Sequence, residues 1–168
     1  MLILGIDPGT AITGYGLVKA DGNRLTPLEY GALRTRARDD TATRLSNLHG
    51  DLCSLLKETQ PDVVAVEQLF FNTNVTTALA VGQARGVILL AAAQAGIHIV
   101  EYTPLQVKQT VTGNGRATKE QVGFMVKALL GLKAIPRPDD VSDALAIAIC
   151  HAHMDSTLKK LAQAAKGR

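Results

Sequence analysis

Apolar and polar positions along this chain alternate between short continuous runs and helical spacing. Leu2–Asp7 is a short apolar run that stops at Pro8-Gly9, and it predicts a buried strand followed by a turn. Thr13–Lys19 places Tyr15, Leu17 and Val18 in a second strand, and Asp21-Gly22 supplies the left-handed turn of a hairpin. Arg24–Thr35 returns as a third strand, giving an antiparallel meander. In Thr41–Thr59, Leu45, Leu48, Leu52, Leu55 and Leu56 recur at spacings of three and four. That is an amphipathic helix with threonine near its start, stopped by Pro61. Asp62–Glu67 carries Val63, Val64 and Val66 in one run, the pattern of a buried parallel strand reached through a helical crossover.

Val75–Ala95 predicts a second helix, apolar on most faces, and Ile97–Tyr102 a fifth strand. Thr103-Pro104 caps and opens a helix running to about Thr112. Gly113–Ala117 predicts a flexible loop. Thr118 with Gln121 is a capping-box pair opening the next helix, and Ile135–Pro138 breaks the chain. Asp139–Met154 predicts the last helix, with residues beyond Asp155 frayed. The order β-β-β-α-β-α-β-α-α-α gives an α/β fold with a mixed five-stranded sheet, three antiparallel strands and then parallel ones, flanked by helices. Short connections argue for a single domain over residues 1–154, with 155–168 as a basic, flexible tail.

Composition narrows the class. With 46% apolar and 20% charged residues, the chain has material for a core and is not disordered. The net charge of +3 sits in residues 151–168, where Lys159, Lys160, Lys166 and Arg168 face Asp155. The rest balances, which excludes a uniformly basic coat and leaves only local patches for nucleic acid. One such patch is residues 104–137: Lys108, Arg116, Lys119, Lys127, Lys133 and Arg137 stand against Glu120. Cys53 and Cys150 lie far apart in sequence and give neither a disulfide framework nor a zinc motif. The N-terminal run lacks a basic leader, and the apolar stretch Val87–Ala95 is too short for a bilayer. The expectation is a cytoplasmic protein without membrane contact.

A few acids stand in apolar surroundings. Asp7 ends the first strand and Glu67 the fourth, and sites in α/β sheets gather at strand C-terminal ends. If those strands are parallel neighbours, the two carboxylates share a rim. Asp140 and Asp143 are three apart at the head of the last helix, on one face, ahead of Ala144-Leu145-Ala146-Ile147. Each has a plainer reading. Asp140 and Asp143 complement a helix dipole, Asp7 before proline forms a turn, and Asp139, Asp39 and Asp40 are cap and loop charges. Glu67 resists dismissal, because an unpaired acid closing Val-Val-Ala-Val is costly. Four converging carboxylates repel one another unless a divalent cation joins them. All-oxygen ligands suit Mg²⁺ or Mn²⁺, and two such ions suit phosphodiester hydrolysis.

On Gly5-Ile6-Asp7-Pro8-Gly9, Thr13-Gly14-Tyr15-Gly16, Glu67-Gln68, Gly82-Gln83-Ala84-Arg85-Gly86, Gln106–Val111 and Asp143-Ala144-Leu145-Ala146, the chain resembles the RuvC family end to end. These are bacterial Holliday junction resolvases of ribonuclease H-like fold. The resemblance implies that Asp7, Glu67, Asp140 and Asp143 are the catalytic carboxylates and metal ligands, with two Mg²⁺ ions per site and Mn²⁺ as a substitute. Asp140 is the most replaceable, since some relatives carry histidine there. The resemblance also implies that Lys108 and Lys119 handle DNA and aid cleavage, and that Phe70 opens the junction. A homodimer nicking two strands of four-way junction DNA symmetrically, working with the RuvA–RuvB branch-migration complex, completes what it implies.

Several features keep two readings each. Arg116 beside the glycine loop binds phosphate or is simply solvated. Adjacent Phe70 and Phe71 both pack, or one faces DNA bases. Arg34, Arg36 and Arg38 alternate, extending a DNA track or blunting an edge strand. In the 75–95 helix, Ala78, Gly82 and Gly86 form a stripe that fits the sheet or a second copy of the chain. A rival function is an actin-like phosphotransferase, whose phosphate loop also contains Asp-x-Gly-Thr. The chain has the length of only one lobe and no second glycine-rich phosphate loop. An RNA-processing nuclease and a non-catalytic junction binder are two further rivals.

Overall fold

The structure, a computed structural model, describes residues 1–68 and 75–166. Five strands, β1 (Leu2–Asp7), β2 (Ile12–Asp21), β3 (Arg24–Arg34), β4 (Val63–Glu67) and β5 (His98–Tyr102), form one sheet in the order β3-β2-β1-β4-β5. β1, β2 and β3 pair antiparallel, and β4 pairs parallel with β1 on one side and β5 on the other. The mixed sheet expected from the pattern is the one observed. Gly22 takes the left-handed backbone at the hairpin turn (φ 56°).

The helices are α1 (Thr41–Thr59), α2 (Val75–Gln94), α3 (Pro104–Thr112), α4 (Lys119–Leu130) and α5 (Asp139–Lys166). Side-chain alternation along the strands divides the core. Leu4, Ile6, Leu17, Val64 and Val66 meet Leu48, Leu52, Ile88 and Ala91 of α1 and α2. On the opposite face Ile3, Val18, Val63, Ala65 and Tyr102 meet α3, α4 and α5. Burial of Ile3 and Val63 on one side and of Leu4 and Val64 on the other explains why β1 and β4 read as continuous apolar runs.

Local chemistry fixes the helix ends. Thr103 and Thr118 each accept a backbone N–H three residues on, while Gln106 and Gln121 reach back to the cap N–H, closing two capping boxes. Both helices end on left-handed glycines, Gly113 and Gly131. The cap of α1 is Asp40, one of the acids read as cap and loop charges: its Oδ1 accepts the Thr43 N–H at 2.9 Å.

Three expectations change. Gly113–Ala117 is a stitched loop, not a loose one. The Gln109 side-chain amide donates to Gly113 O and its oxygen accepts the Gly115 N–H, both at 2.9 Å. Asn114 Oδ1 accepts the Arg116 N–H at 3.0 Å. β3 stops at Arg34, so Arg36 and Arg38 do not continue a strand face. α5 runs to Lys166 instead of ending at Met154, because nothing in Asp155–Lys166 breaks a helix and Ala, Leu, Lys and Gln favour one.

Candidate active site

Ile6 and Val66 are partners in the parallel β1–β4 ladder, so Asp7 and Glu67 leave the same rim side by side. The third acid, Asp143, arrives on α5. It comes close because α5 lies directly on bare backbone. A Cβ on Gly14, which pairs with Asp7 in the β1–β2 ladder, would sit 1.9 Å from the carbonyl oxygen of Asp140. A Cβ on Gly5 would sit 2.1 Å from that of Ala144. Any side chain at either position would push the helix, and Asp143 with it, away from the sheet.

Asp7, Glu67 and Asp143 line one cavity of about 260 Å³ together with Lys108 of α3 and Lys119 of α4; Val107, Val122 and Ala146 form its apolar walls. The Lys119 ammonium donates to Asp143 Oδ2 at 3.1 Å. These acids come from segments about sixty and then seventy-six residues apart in sequence, and parallel strand pairing plus the helix seam suffice to gather them.

The electrostatics follow from crowding. Burial, then the charges of Glu67, Asp143 and Asp140, push Asp7 from its ordinary 3.8 to about 8, with Lys119 opposing. Burial and then Asp143 raise Glu67 from 4.5 to about 7 against the pull of Lys119 and Lys108. Asp143 is also raised, since burial outweighs the attraction of Lys119. For Lys119, burial is the largest single influence and lowers it. The Asp143 charge and hydrogen bond, with Asp7 and Asp139, overcome that and raise it, so its ammonium persists. The sheltered cavity thus favours protonated carboxylates until further positive charge is supplied.

That donor set fits a hard divalent cation: oxygen ligands only, buried, and mutually repelling once ionised. Among the described residues no three His, Cys, Asp or Glu side chains are already drawn into a closed shell, so the carboxylates share a cavity without yet converging on one point. Asp140 is not among the lining residues, although its charge is felt by Asp7.

Of the remaining candidates, Lys108 lies on the cavity wall, whereas Arg116 is exposed on the stitched loop and is not among the lining residues. Phe70 and Phe71 lie outside the described residues. In α2, Ala84, Ile88, Ala91 and Ala92 face the core, while Leu79 and Leu90 are 64% and 51% exposed. A Cβ on Gly86 would meet nothing within 4 Å, so that glycine is not serving the sheet. Among the described residues no helix is long and apolar enough to cross a membrane.

Sequence reasoning missed three contributors. Gly14 shapes the site by the side chain it lacks, a role that neither a glycine inside a strand nor its place in Thr13-Gly14-Tyr15-Gly16 disclosed. Gln109 closes the 113–117 loop from inside a helix. Asp139 pairs with Arg137 at the head of α5; the pair flanks the chain break rather than an apolar run.

A family model described as "Crossover junction endodeoxyribonuclease RuvC" matches residues 3–151. Proteins of that name from Desulfitobacterium hafniense and Heliobacterium modesticaldum are 61% and 63% identical over 161 and 153 residues. The matches cover 96% and 91% of this chain and 98% and 94% of those proteins. The Thermus thermophilus RuvC structure superposes with a TM-score of 0.86 at 38% identity, covering 94% of this chain and 96% of that one. T. thermophilus RuvC in complex with Holliday junction substrate gives 0.85 at 36% identity, with the same coverage. With two acids on the rim of one ribonuclease H-like sheet and a third on the helix packed against it, and with relatives this close along nearly the whole length, the chain belongs to the RuvC family of crossover junction endodeoxyribonucleases.

Proposed function

We propose that this protein resolves four-way DNA junctions by metal-dependent hydrolysis of two symmetrically placed phosphodiesters, in recombination and repair. The observation that carries the reading is the meeting of Asp7, Glu67 and Asp143 in one cavity with Lys108 and Lys119, in a chain of this family. Asp7, Glu67 and Asp143 are the ligands, with Asp140 completing the set; Mg²⁺ is the ion, two per site, and Mn²⁺ substitutes. Bound ions supply the positive charge that turns a water into a nucleophile and steadies the departing 3′ oxygen. The chain's own residues do the rest. Lys119 keeps Asp143 oriented and, with Lys108, draws a backbone phosphate into the cavity. Arg116 engages the flanking backbone. The apolar walls exclude bulk water and strengthen each charge interaction. Hydrolysis by water breaks the bond to the 3′ oxygen, leaving a 5′-phosphate and a 3′-hydroxyl without a covalent enzyme intermediate.

Paired cuts need two sites. The exposed Leu79, Leu90 and Gly86 of α2 favour a second copy packed on this helix, giving a two-fold homodimer. Phe70, with Phe71 beside it, opens the junction by stacking on bases. One nuclease domain, residues 1–154, carries the activity, and the basic segment 155–168 extends it. The protein works in the cytoplasm beside the RuvA–RuvB complex.

The test is direct. Purified protein with Mg²⁺ is offered a synthetic four-way junction, a linear duplex and an RNA–DNA hybrid. Junction cut into two nicked duplexes that ligase reseals is the expected outcome. Preferential cutting of the hybrid would make it an RNA-processing nuclease, and binding without cutting a junction binder.

A further inference from the structure

Beyond the cavity, one buried residue links three of the elements that build it, β4, α3 and α5. Tyr102 is the last residue of β5 and pairs in register with Glu67. Its carbonyl accepts the N–H of Gln68 at 2.8 Å, holding the chain one residue past Glu67. Thr103, the next residue, caps α3, the helix that carries Lys108 to the cavity wall. On the other side, Tyr102 Oη lies 2.8 Å from Nδ1 of His151. His151 stands on α5, two helical turns beyond Asp143. Tyr102 and His151 are 9% and 8% exposed, and their rings lie 5.9 Å apart. The Tyr102 ring shares the apolar core under α5, and its hydroxyl adds a polar contact on the β5 side, away from the seam at Gly5 and Gly14.

We infer that the Tyr102–His151 hydrogen bond is a positioning pair. It sets the separation between the rim that carries Glu67 and Lys108 and the helix that carries Asp143, so that the carboxylates can close on a divalent cation. The geometry gives the reason. Asp7 and Glu67 are fixed to each other by strand pairing, but Asp143 is on another layer. On the β1 side that layer is located by the glycine seam. Toward β5 the polar tie is Tyr102 to His151, backed by the Cys150 thiol against Gln106 O at 3.8 Å. Burial raises the Tyr102 phenol to about 12, with Cys150 and Asp155 adding to it, so the hydroxyl keeps its proton while hydrogen-bonded with Nδ1. Tyr102→Phe removes that hydrogen bond while keeping the ring, leaving the β5 side of α5 free to shift by the fraction of an ångström that ligand closure does not tolerate.

The inference rests on the metal-dependent reading above, and its experiment separates the two. Wild type, Tyr102→Phe and Leu52→Val are compared as full-length proteins. Leu52 lies in the opposite core cluster and serves as a variant destabilised without touching the site. Mn²⁺ binding is titrated by electron paramagnetic resonance without DNA. Junction cleavage is then measured against Mg²⁺ concentration. Tyr102→Phe is expected to weaken Mn²⁺ binding and raise the half-saturating Mg²⁺ concentration about fivefold, while junction affinity in Ca²⁺ stays within twofold. Leu52→Val should lower the thermal midpoint and leave metal binding unchanged. Equal metal affinity in Tyr102→Phe and wild type would overturn the pair's role. So would equal weakening in Leu52→Val, because general destabilisation would then be the cause. A wild type that binds no Mn²⁺ and cuts no junction would instead remove the functional reading, and this inference with it.

Discussion

Asp7→Asn separates what the acid cavity costs the fold from what it gives the reaction. Held at about 8, Asp7 keeps a proton in the folded protein near neutral pH, whereas the unfolded chain has released it. Between 3.8 and about 8 the folded state therefore binds the extra proton, and stability falls as pH rises through that window. At about 1.4 kcal/mol per unit, the penalty near neutrality is roughly 4 kcal/mol relative to an ordinary aspartate. Asparagine carries no such penalty and differs little in size. Some hydrogen-bonding capacity is lost, so the expected gain is about 1–3 kcal/mol, or a rise in thermal midpoint of roughly 3–9 °C without divalent metal.

Glu67 contributes a slope of the same sign that fades as pH passes through about 7. From about 7 to about 8 wild type should therefore lose stability more steeply than Asp7→Asn, which keeps only the fading Glu67 contribution. Calorimetry in chelator at the two ends measures this. Adding Mg²⁺ should stabilise wild type, because it replaces the missing positive charge, and have little effect on the variant. Junction binding should persist in Asp7→Asn while cleavage is lost. A variant less stable than wild type in chelator, with equal pH slopes, would show that Asp7 is a structural acid and refute the electrostatic account.

The seam under the site predicts that Gly14→Ala is disruptive, since its methyl would meet the Asp140 carbonyl, which cannot swing aside; about 3 kcal/mol or more should be lost, readable in denaturant melts, along with cleavage. Lys119→Ala should slow junction cleavage by tenfold or more at saturating Mg²⁺, measured in single turnover, and leave the fold intact because the side chain is exposed along much of its length. Gln109→Ala removes two 2.9 Å hydrogen bonds from the 113–117 loop and should cost about 1–2 kcal/mol. Faster amide exchange confined to residues 113–117 would confirm that reading, and unchanged exchange would end it.

The parts of the molecule legible in the sequence are those written in local period. Val63–Val66 announces a parallel strand, and that alone puts Glu67 on the rim beside Asp7. Thr103–Gln106 and Thr118–Gln121 announce two helix starts. What stays hidden depends on partners remote in the chain. The Gly113–Ala117 loop looks loose by composition, because its order comes from the Gln109 side chain. Arg34, Arg36 and Arg38 look alike, but only Arg34 remains in the ladder, paired with Ile12. The basic end of α5 suggests fraying by its charge, yet lysine is a good helix former and the helix continues through it. Tyr102 and His151 carry no motif. Their pairing follows from α5 packing across the face of the sheet onto β5, which local sequence does not encode.

The site opposes its own fold, and the seam beside it is what tolerates the opposition. Three carboxylates raised by burial and mutual repulsion push apart, and the group raised furthest, Asp7, is the one most enclosed by the others. Relief by outward movement of α5 would be the natural response. It is blocked by direct helix-on-backbone packing at Gly5 and Gly14 and by Ala144, Ala146 and Ala148, all buried. Small residues bring the two main chains together, and the dense contact they make resists displacement. The opposition therefore shows as carboxyls that hold protons near neutral pH, which a divalent cation can displace on binding. Small residues in β1, β2 and α5 thus have the same purpose as the acids beside them: they keep like charges close enough to need an ion.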